Sequence, residues 1–223
     1  MNALNNEIYE QPAYGTSEAA VYLRIPYQTL RYWLTGFGTR PPIIEPVETD
    51  PVRLSFMNLL ECHALAGMRK VYDLKLPKVR RALEKVSADY KQRHPLVSEV
   101  FMTDRKDLFI ERLGKIINVS QHGQMGLNFF RMHLERVEVD PKGLFRFFPF
   151  VVQPAPFEPK TIEINPMIGF GKPVIAGTGI STAIIASRFN ARESIAGLAA
   201  EYECTSQQIE EAIRWERALP LAA

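Results

Sequence analysis

Residues 171–217, GKPVIAGTGISTAIIASRFNARESIAGLAAEYECTSQQIEEAIRWER, decide how the fold of this chain is read. Ile195, Leu198, Ala199 and Tyr202 recur at helical spacing, and Ile209, Ala212 and Ile213 do so again after the short ECTS turn. Each segment can bury one apolar stripe, so two short helices joined by a turn are expected. Thr205, with Gln208 three residues on, fits a capping box in which hydroxyl and amide satisfy the first free N–H groups of the second helix. The result is a helix-turn-helix. Upstream, Pro173, Val174 and Ile175 form a β-like run closed by Gly177-Thr178-Gly179, where glycine can take the positive φ of a tight turn; a strand-turn-helix entry follows. The motif spacing argues against a phosphate site. Lys172 is followed by Pro173, no GxxxxGK[ST] is present, and neither Gly169-x-Gly171 nor Gly177-x-Gly179 has a third glycine in place.

Over residues 162–217 the chain resembles a prokaryotic domain family, first catalogued as of unknown function, that recurs in antitoxins partnered with PIN-domain ribonucleases in VapBC-like systems. The GKPVI strand, the GTGI turn, the ESI segment and the helix-turn-helix end carry the resemblance, which spans about a quarter of the chain. It implies a C-terminal domain over 160–219 and a role as an antitoxin. The implied partners are a cognate PIN-domain ribonuclease toxin and operator DNA, with the antitoxin, together with its toxin, repressing its own promoter.

Working outward, residues 14–34 read YGTSEAAVYLRIPYQTLRYWL. Thr16 or Ser17 can cap a first helix whose Ala19, Ala20 and Leu23 share an inner face, and Pro26 suits the first turn of the next helix. That second helix buries Leu30, Trp33 and Leu34, leaving Tyr27, Gln28, Arg31 and Tyr32 outward. IIEPVETDPVRLSF then reads as a small hairpin, with Ser55 capping FMNLLECHALAGMRK. Helix, turn, helix, hairpin, helix is a winged arrangement. TLRYWL, PIIEP, VRLSFMNLLE and KLPKVRRALEKV, in that order, resemble the MerR-like winged-helix family. The resemblance implies DNA recognition by Tyr27, Gln28 and Arg31, with Arg53 from the wing and Arg40 as a flanking contact. Where MerR regulators usually continue into a long dimerisation helix and an effector site, this chain turns at His94-Pro95 into a different pattern.

The charge distribution agrees with that division. A net charge of +2 resolves into 13 Lys and Arg against 10 Asp and Glu up to Pro95, 8 against 7 from Leu96 to Phe150, and 6 against 8 beyond. Lys75, Lys78, Arg80, Arg81 and Lys85 surround Pro77 and offer phosphate contacts or a solvated basic face. The start, MNALNNEIYEQ, lacks a basic region leading into an apolar stretch, and no apolar run nears the roughly 20 residues a membrane helix needs, so a cytoplasmic protein without a membrane partner is expected.

Three domains are expected: a winged helix over 12–95, an α+β middle over 96–153 for dimerisation or partner binding, and the C-terminal domain over 160–219. The fold class is thus mainly α with small β elements. In the middle, residues 97–120 alternate as strands, and Met125, Phe129, Met132 and Val137 follow near-helical spacing. GLFRFFPFVV reads as a strand whose Phe145, Phe147, Phe148 and Phe150 serve a core or a homodimer interface. Pro154, Pro156 and Pro159 mark an extended linker. Because aromatic and arginine anchors dominate interfaces, Phe148, Arg214 and Trp215 are the candidate toxin contacts.

Catalytic chemistry is not readable. His63, His94, His122 and His133 lie in different elements without HExxH or close Cys/His spacing, and Cys62 and Cys204 lack nearby ligand partners, so no metal, cofactor or enzymatic activity is expected. Glu210 and Glu211 are adjacent on a helix and diverge by about 100°. The competing readings are an effector-responsive MerR-like regulator without a toxin, and a nucleotide-dependent enzyme using the glycine-rich turns.

Overall fold

The computed structural model describes residues 3–72, 94, 96–97, 130–140, 144–151 and 158–218, with the side chains of 3–6 and 70–72 left aside. Of the strands expected over 97–120, Val97 is helical and residues 98–120 lie outside these residues, as do the basic residues from Lys75 to Lys85, His122, Met125, Phe129 and the linker prolines Pro154 and Pro156. The architecture is helical with small antiparallel sheets. The chain divides into two compact units, Met1–Phe145 and Arg146–Ala223. The division falls inside the aromatic run 145–150 rather than in the proline-rich stretch that follows it.

In the first unit, α1 (Ala3–Glu10) leads into β1 (Tyr14–Gly15), α2 (Thr16–Tyr22) and α3 (Tyr27–Thr35). Ala19, Ala20 and Leu23 are buried as their spacing requires, as are Leu30, Trp33 and Leu34. The expected cap is corrected. Helix α2 begins at Thr16 with Gly15 in the N-cap position and no side-chain hydrogen bond there, because β1 carries the chain straight into the helix. Pro26 likewise stands just before α3, where its carbonyl accepts from the N–H groups of Thr29 and Leu30 and its own missing N–H removes no helix bond.

The wing is smaller than its sequence suggests. Only β2 (Glu48–Thr49) and β3 (Val52–Leu54) pair, antiparallel, and β1 adds to the other side of β3 to give the order β1-β3-β2. The IIEP segment is not a strand; the N–H groups of Ile43 and Ile44 both donate to the Trp33 carbonyl. Helix α4 (Phe56–Tyr72) starts from a reciprocal cap. The Asn58 N–H donates to Ser55 Oγ at 3.1 Å and the Ser55 N–H to Asn58 Oδ1 at 3.2 Å. Asn58 also donates through Nδ2 to the Glu45 carbonyl and accepts from the Val47 N–H, tying the approach to the wing to the start of α4.

Residues 130–134 are helical, but Val137 has left that helix and begins β4 (Val137–Val139), which pairs with β5 (Phe145–Phe147). The hydrophobic spacing from Met132 to Val137 therefore spans a helix end rather than one stripe. Phe147, Phe148 and Phe150 are buried, so the aromatic run is core rather than an exposed dimer surface.

In the second unit, β6 (Ile162–Glu163) pairs antiparallel with β7 (Val174–Ile175), followed by α5 (Thr182–Asn190), α6 (Ile195–Glu201) and α7 (Ser206–Arg217). Gly177 and Gly179, at φ 77° and 75°, make the tight turn out of β7 that their residue type permits. Leu198, Ala199, Ile209, Ala212, Ile213 and Trp215 are buried. The Thr205–Gln208 capping box is complete in both directions. Arg188 on α5 binds Glu193, Glu201 and the Tyr202 hydroxyl, which holds α6 against α5. Among the described residues no helix is long and apolar enough to cross a membrane.

Candidate nucleic-acid and partner interfaces

Helix α3 presents its outer face as the helical period demands. Its apolar positions are covered by α2 and the segment that follows, leaving Gln28 and Arg31 exposed and Tyr27, one turn before Leu30 at the edge of the buried face, at 42% exposure. Three side chains able to touch base edges or phosphates thus stand on the first two turns of the second helix, where a helix-turn-helix places its contacts. Arg53 is exposed on β3, but it faces Glu48 across the ladder, and Asp50 is exposed at the hairpin tip beside a cis Asp50–Pro51 bond. Those carboxylates would repel phosphate, so Arg53 is the wing's only favourable charge toward a duplex.

Arg40 is exposed on a rigid turn. Its N–H and carbonyl exchange hydrogen bonds with Phe37 at 3.0 and 3.1 Å, and a side chain on Gly36 would meet the Arg40 carbonyl at 2.1 Å. Phe37, 75% exposed on that same turn, is a candidate aromatic contact that sequence reasoning missed. Its flanking glycines, Gly36 and Gly38 at positive φ, were the legible signal of a turn that points a residue outward.

The three residues expected to meet a protein partner fall on two sides of the surface. Arg214 is exposed and donates to Glu211. Trp215 is 0% exposed and Phe148 3%, so both are core residues and neither ring is available as an anchor. Phe148 lies under two cations, with Arg146 at 5.0 Å and Lys160 at 5.5 Å from its centroid. Among the described residues of the second unit, the large exposed apolar side chains are Met167, Ile184 and Phe170, the last held at φ 54° between Gly169 and Gly171.

The titratable groups in the interior serve the fold. The His63 Nε2–H donates to the His133 carbonyl at 2.8 Å, and burial keeps the His63 ring well below its ordinary pKa. His94 donates to Glu61 at 2.8 Å and Glu10 at 2.9 Å. Burial opposes its charge, but these two carboxylates prevail and its pKa is pushed up to about 9. Burial also raises the Glu61 carboxyl. Arg146 holds Glu163 in a two-point pair, Nε to Oε1 at 2.9 Å and Nη2 to Oε2 at 2.8 Å. Cys62 is a buried free thiol.

The geometry defines a chain with a helix-turn-helix in each unit, the first joined to a three-stranded wing. A family model described as protein of unknown function (DUF433) matches residues 162–215, from β6 to near the end of α7. A Mycobacterium tuberculosis protein bearing the name Putative antitoxin VapB45 is 23% identical over 230 residues, covering 92% of this chain and 94% of that protein. The crystal structure of Rv2018 from Mycobacterium tuberculosis shares the fold with a TM-score of 0.69 at 21% identity, over 91% of this chain and 98% of that one.

Proposed function

We propose that this protein is the antitoxin of a toxin-antitoxin pair: it binds and silences a PIN-domain ribonuclease and, with that partner, represses its own operon from the cytoplasm as a homodimer. The observation that carries the reading is the end-to-end similarity to a protein named as an antitoxin, which extends through both units rather than through one shared module. On this reading the chain itself is not an enzyme. Its buried histidines are engaged in structural hydrogen bonds or ion pairs, and Glu163 is clamped by Arg146. The MerR-like resemblance of the first unit supports DNA as its ligand.

The partner is tested by co-expression. The full chain, made with the product of the adjacent reading frame, should yield a stable complex in which that product has no ribonuclease activity until it is released. If no neighbouring product associates with the chain, the antitoxin reading falls.

DNA recognition is tested by gel-shift titration on the duplex upstream of the chain's own reading frame. Arg31→Ala should weaken binding to all duplexes and lower the salt slope by about one unit if its guanidinium grips phosphate. Gln28→Ala should relax discrimination at one base pair, by about 1–3 kcal/mol for a bidentate contact. Wild-type affinity in both variants would remove α3 as the recognition helix.

A further inference from the structure

The two helix-turn-helix motifs share one geometry and carry opposite charge. Both first helices have seven residues, α2 over Thr16–Tyr22 and α6 over Ile195–Glu201. Both turns place a non-glycine residue in the left-handed region two positions before the next N-cap: Arg24 at φ 53° and Glu203 at φ 54°. The turns are closed by matching bonds, from the Ile25 N–H to the Ala20 carbonyl at 3.0 Å and from the Cys204 N–H to the Ala199 carbonyl at 2.9 Å. The buried positions also correspond, Leu30, Trp33 and Leu34 with Ile209, Ala212 and Ile213.

The outward positions must then correspond as well. Tyr27, Gln28 and Arg31 on α3 match Ser206, Gln207 and Glu210 on α7, and all six are exposed. Arg24 of the first turn becomes Glu203, and Arg31 of the first recognition face becomes Glu210. Both cationic positions of the first motif are anionic in the second. Of the nearby arginines, Arg188 is bound by Glu193 and Glu201 and Arg214 by Glu211, while Arg217, at the far end of α7 two turns from Glu210, stacks over the Phe189 ring. Glu203 and Glu210 form no salt bridge among the described residues. Two carboxylates at the positions where a helix-turn-helix approaches nucleic acid repel the phosphates that supply most of the binding free energy.

We propose that the exposed face of α7 and the turn before it dock on a basic, nucleic-acid-binding protein surface instead of on DNA. Resting on the antitoxin reading above, that surface is the RNA-binding cleft of the ribonuclease partner. A cleft that holds RNA must present cations to phosphates, and Glu203 and Glu210 offer it anions on a rigid turn and a capped helix, with Gln207 and Ser206 beside them for hydrogen bonds. Occupancy of the cleft excludes the substrate, so inhibition requires no contact with the catalytic atoms. The chain thus uses one scaffold twice, once for DNA and once for the protein that competes with RNA.

The test reverses the two charges in the full-length chain. Arg24 shows that arginine is accepted at the conformation of Glu203, and Glu210 is exposed, so E203R/E210R should fold with an unchanged melting temperature; E203Q/E210Q is the milder companion. Affinity for the product of the adjacent reading frame should fall about tenfold or more in E203R/E210R at low salt, and less in E203Q/E210Q. Rising salt should weaken the wild-type complex. Binding of E203R/E210R to a mixed-sequence duplex should increase, while Arg31→Ala keeps the protein complex intact. Wild-type affinity for the partner in both double variants overturns the proposal. So does a loss of duplex binding in E203Q/E210Q, which would make the second motif a DNA reader, or a loss of self-association with the complex intact, which would assign the face to a second copy. A wild-type chain that forms no complex overturns the antitoxin reading together with this one; a wild-type complex indifferent to the reversal overturns only the docking face.

Discussion

Alanine in place of Trp215 is expected to lower the stability of the chain by about 3–5 kcal/mol, the range for deleting a large aromatic from a packed core. The indole is 0% exposed, on the face of α7 that also buries Ile209, Ala212 and Ile213. Helix α7 packs against α5 and α6, and neighbours around a deleted buried ring relax only in part, so a cavity remains. Urea denaturation followed by far-UV circular dichroism measures the loss. An interface anchor would behave differently, leaving the urea midpoint in place and weakening only the complex. A loss of unfolding free energy of less than about 1 kcal/mol would show that the ring contributes little to this core.

Removing His94 is the second large effect, and it brings a pH dependence. The His94 imidazolium bridges Glu61, itself buried, and Glu10, which is 29% exposed. His94→Ala leaves the Glu61 carboxylate without its cation, a change that costs about 3–5 kcal/mol when a buried pair is broken. The lower end is expected here, because burial already raises the Glu61 carboxyl and it can take up a proton. The folded pKa of about 9 lies above the ordinary histidine value near 6.5, so the stabilisation is fully present below about 6.5 and is lost as pH rises through about 9. His63 acts on the other side. Its depressed folded pKa favours the fold above about 6.5 and gives up that contribution as pH falls below it. Urea midpoints across the pH range should therefore show a maximum near the ordinary histidine value of about 6.5 and fall on both sides of it. His94→Gln should flatten the alkaline limb and leave the acid limb; an alkaline limb unchanged in that variant would assign the loss to other groups.

The sequence by itself determined the helices and their inner faces. Helical periodicity relates residues three and four apart, so α3, α6 and α7, their apolar stripes and the Thr205–Gln208 cap could be read from neighbours alone. It also determined the pairing of a winged first motif with a second motif near the C-terminus. Features that depend on residues distant in sequence were decided by the tertiary structure. Trp215 lies one step from the edge of the Ile209–Ala212–Ile213 stripe, and periodicity could not say whether that edge faces solvent or the core. Phe148 reads equally as interface or core until Arg146, Lys160 and the packing around it are in place. Nothing local announces that His94 meets Glu10 and Glu61, residues 84 and 33 positions away. The equivalence of Arg24 with Glu203 and of Arg31 with Glu210 also needed the fold, because two motifs with little residue identity are aligned by φ angles, turn hydrogen bonds and buried steps, which are properties of the folded backbone rather than of the letters.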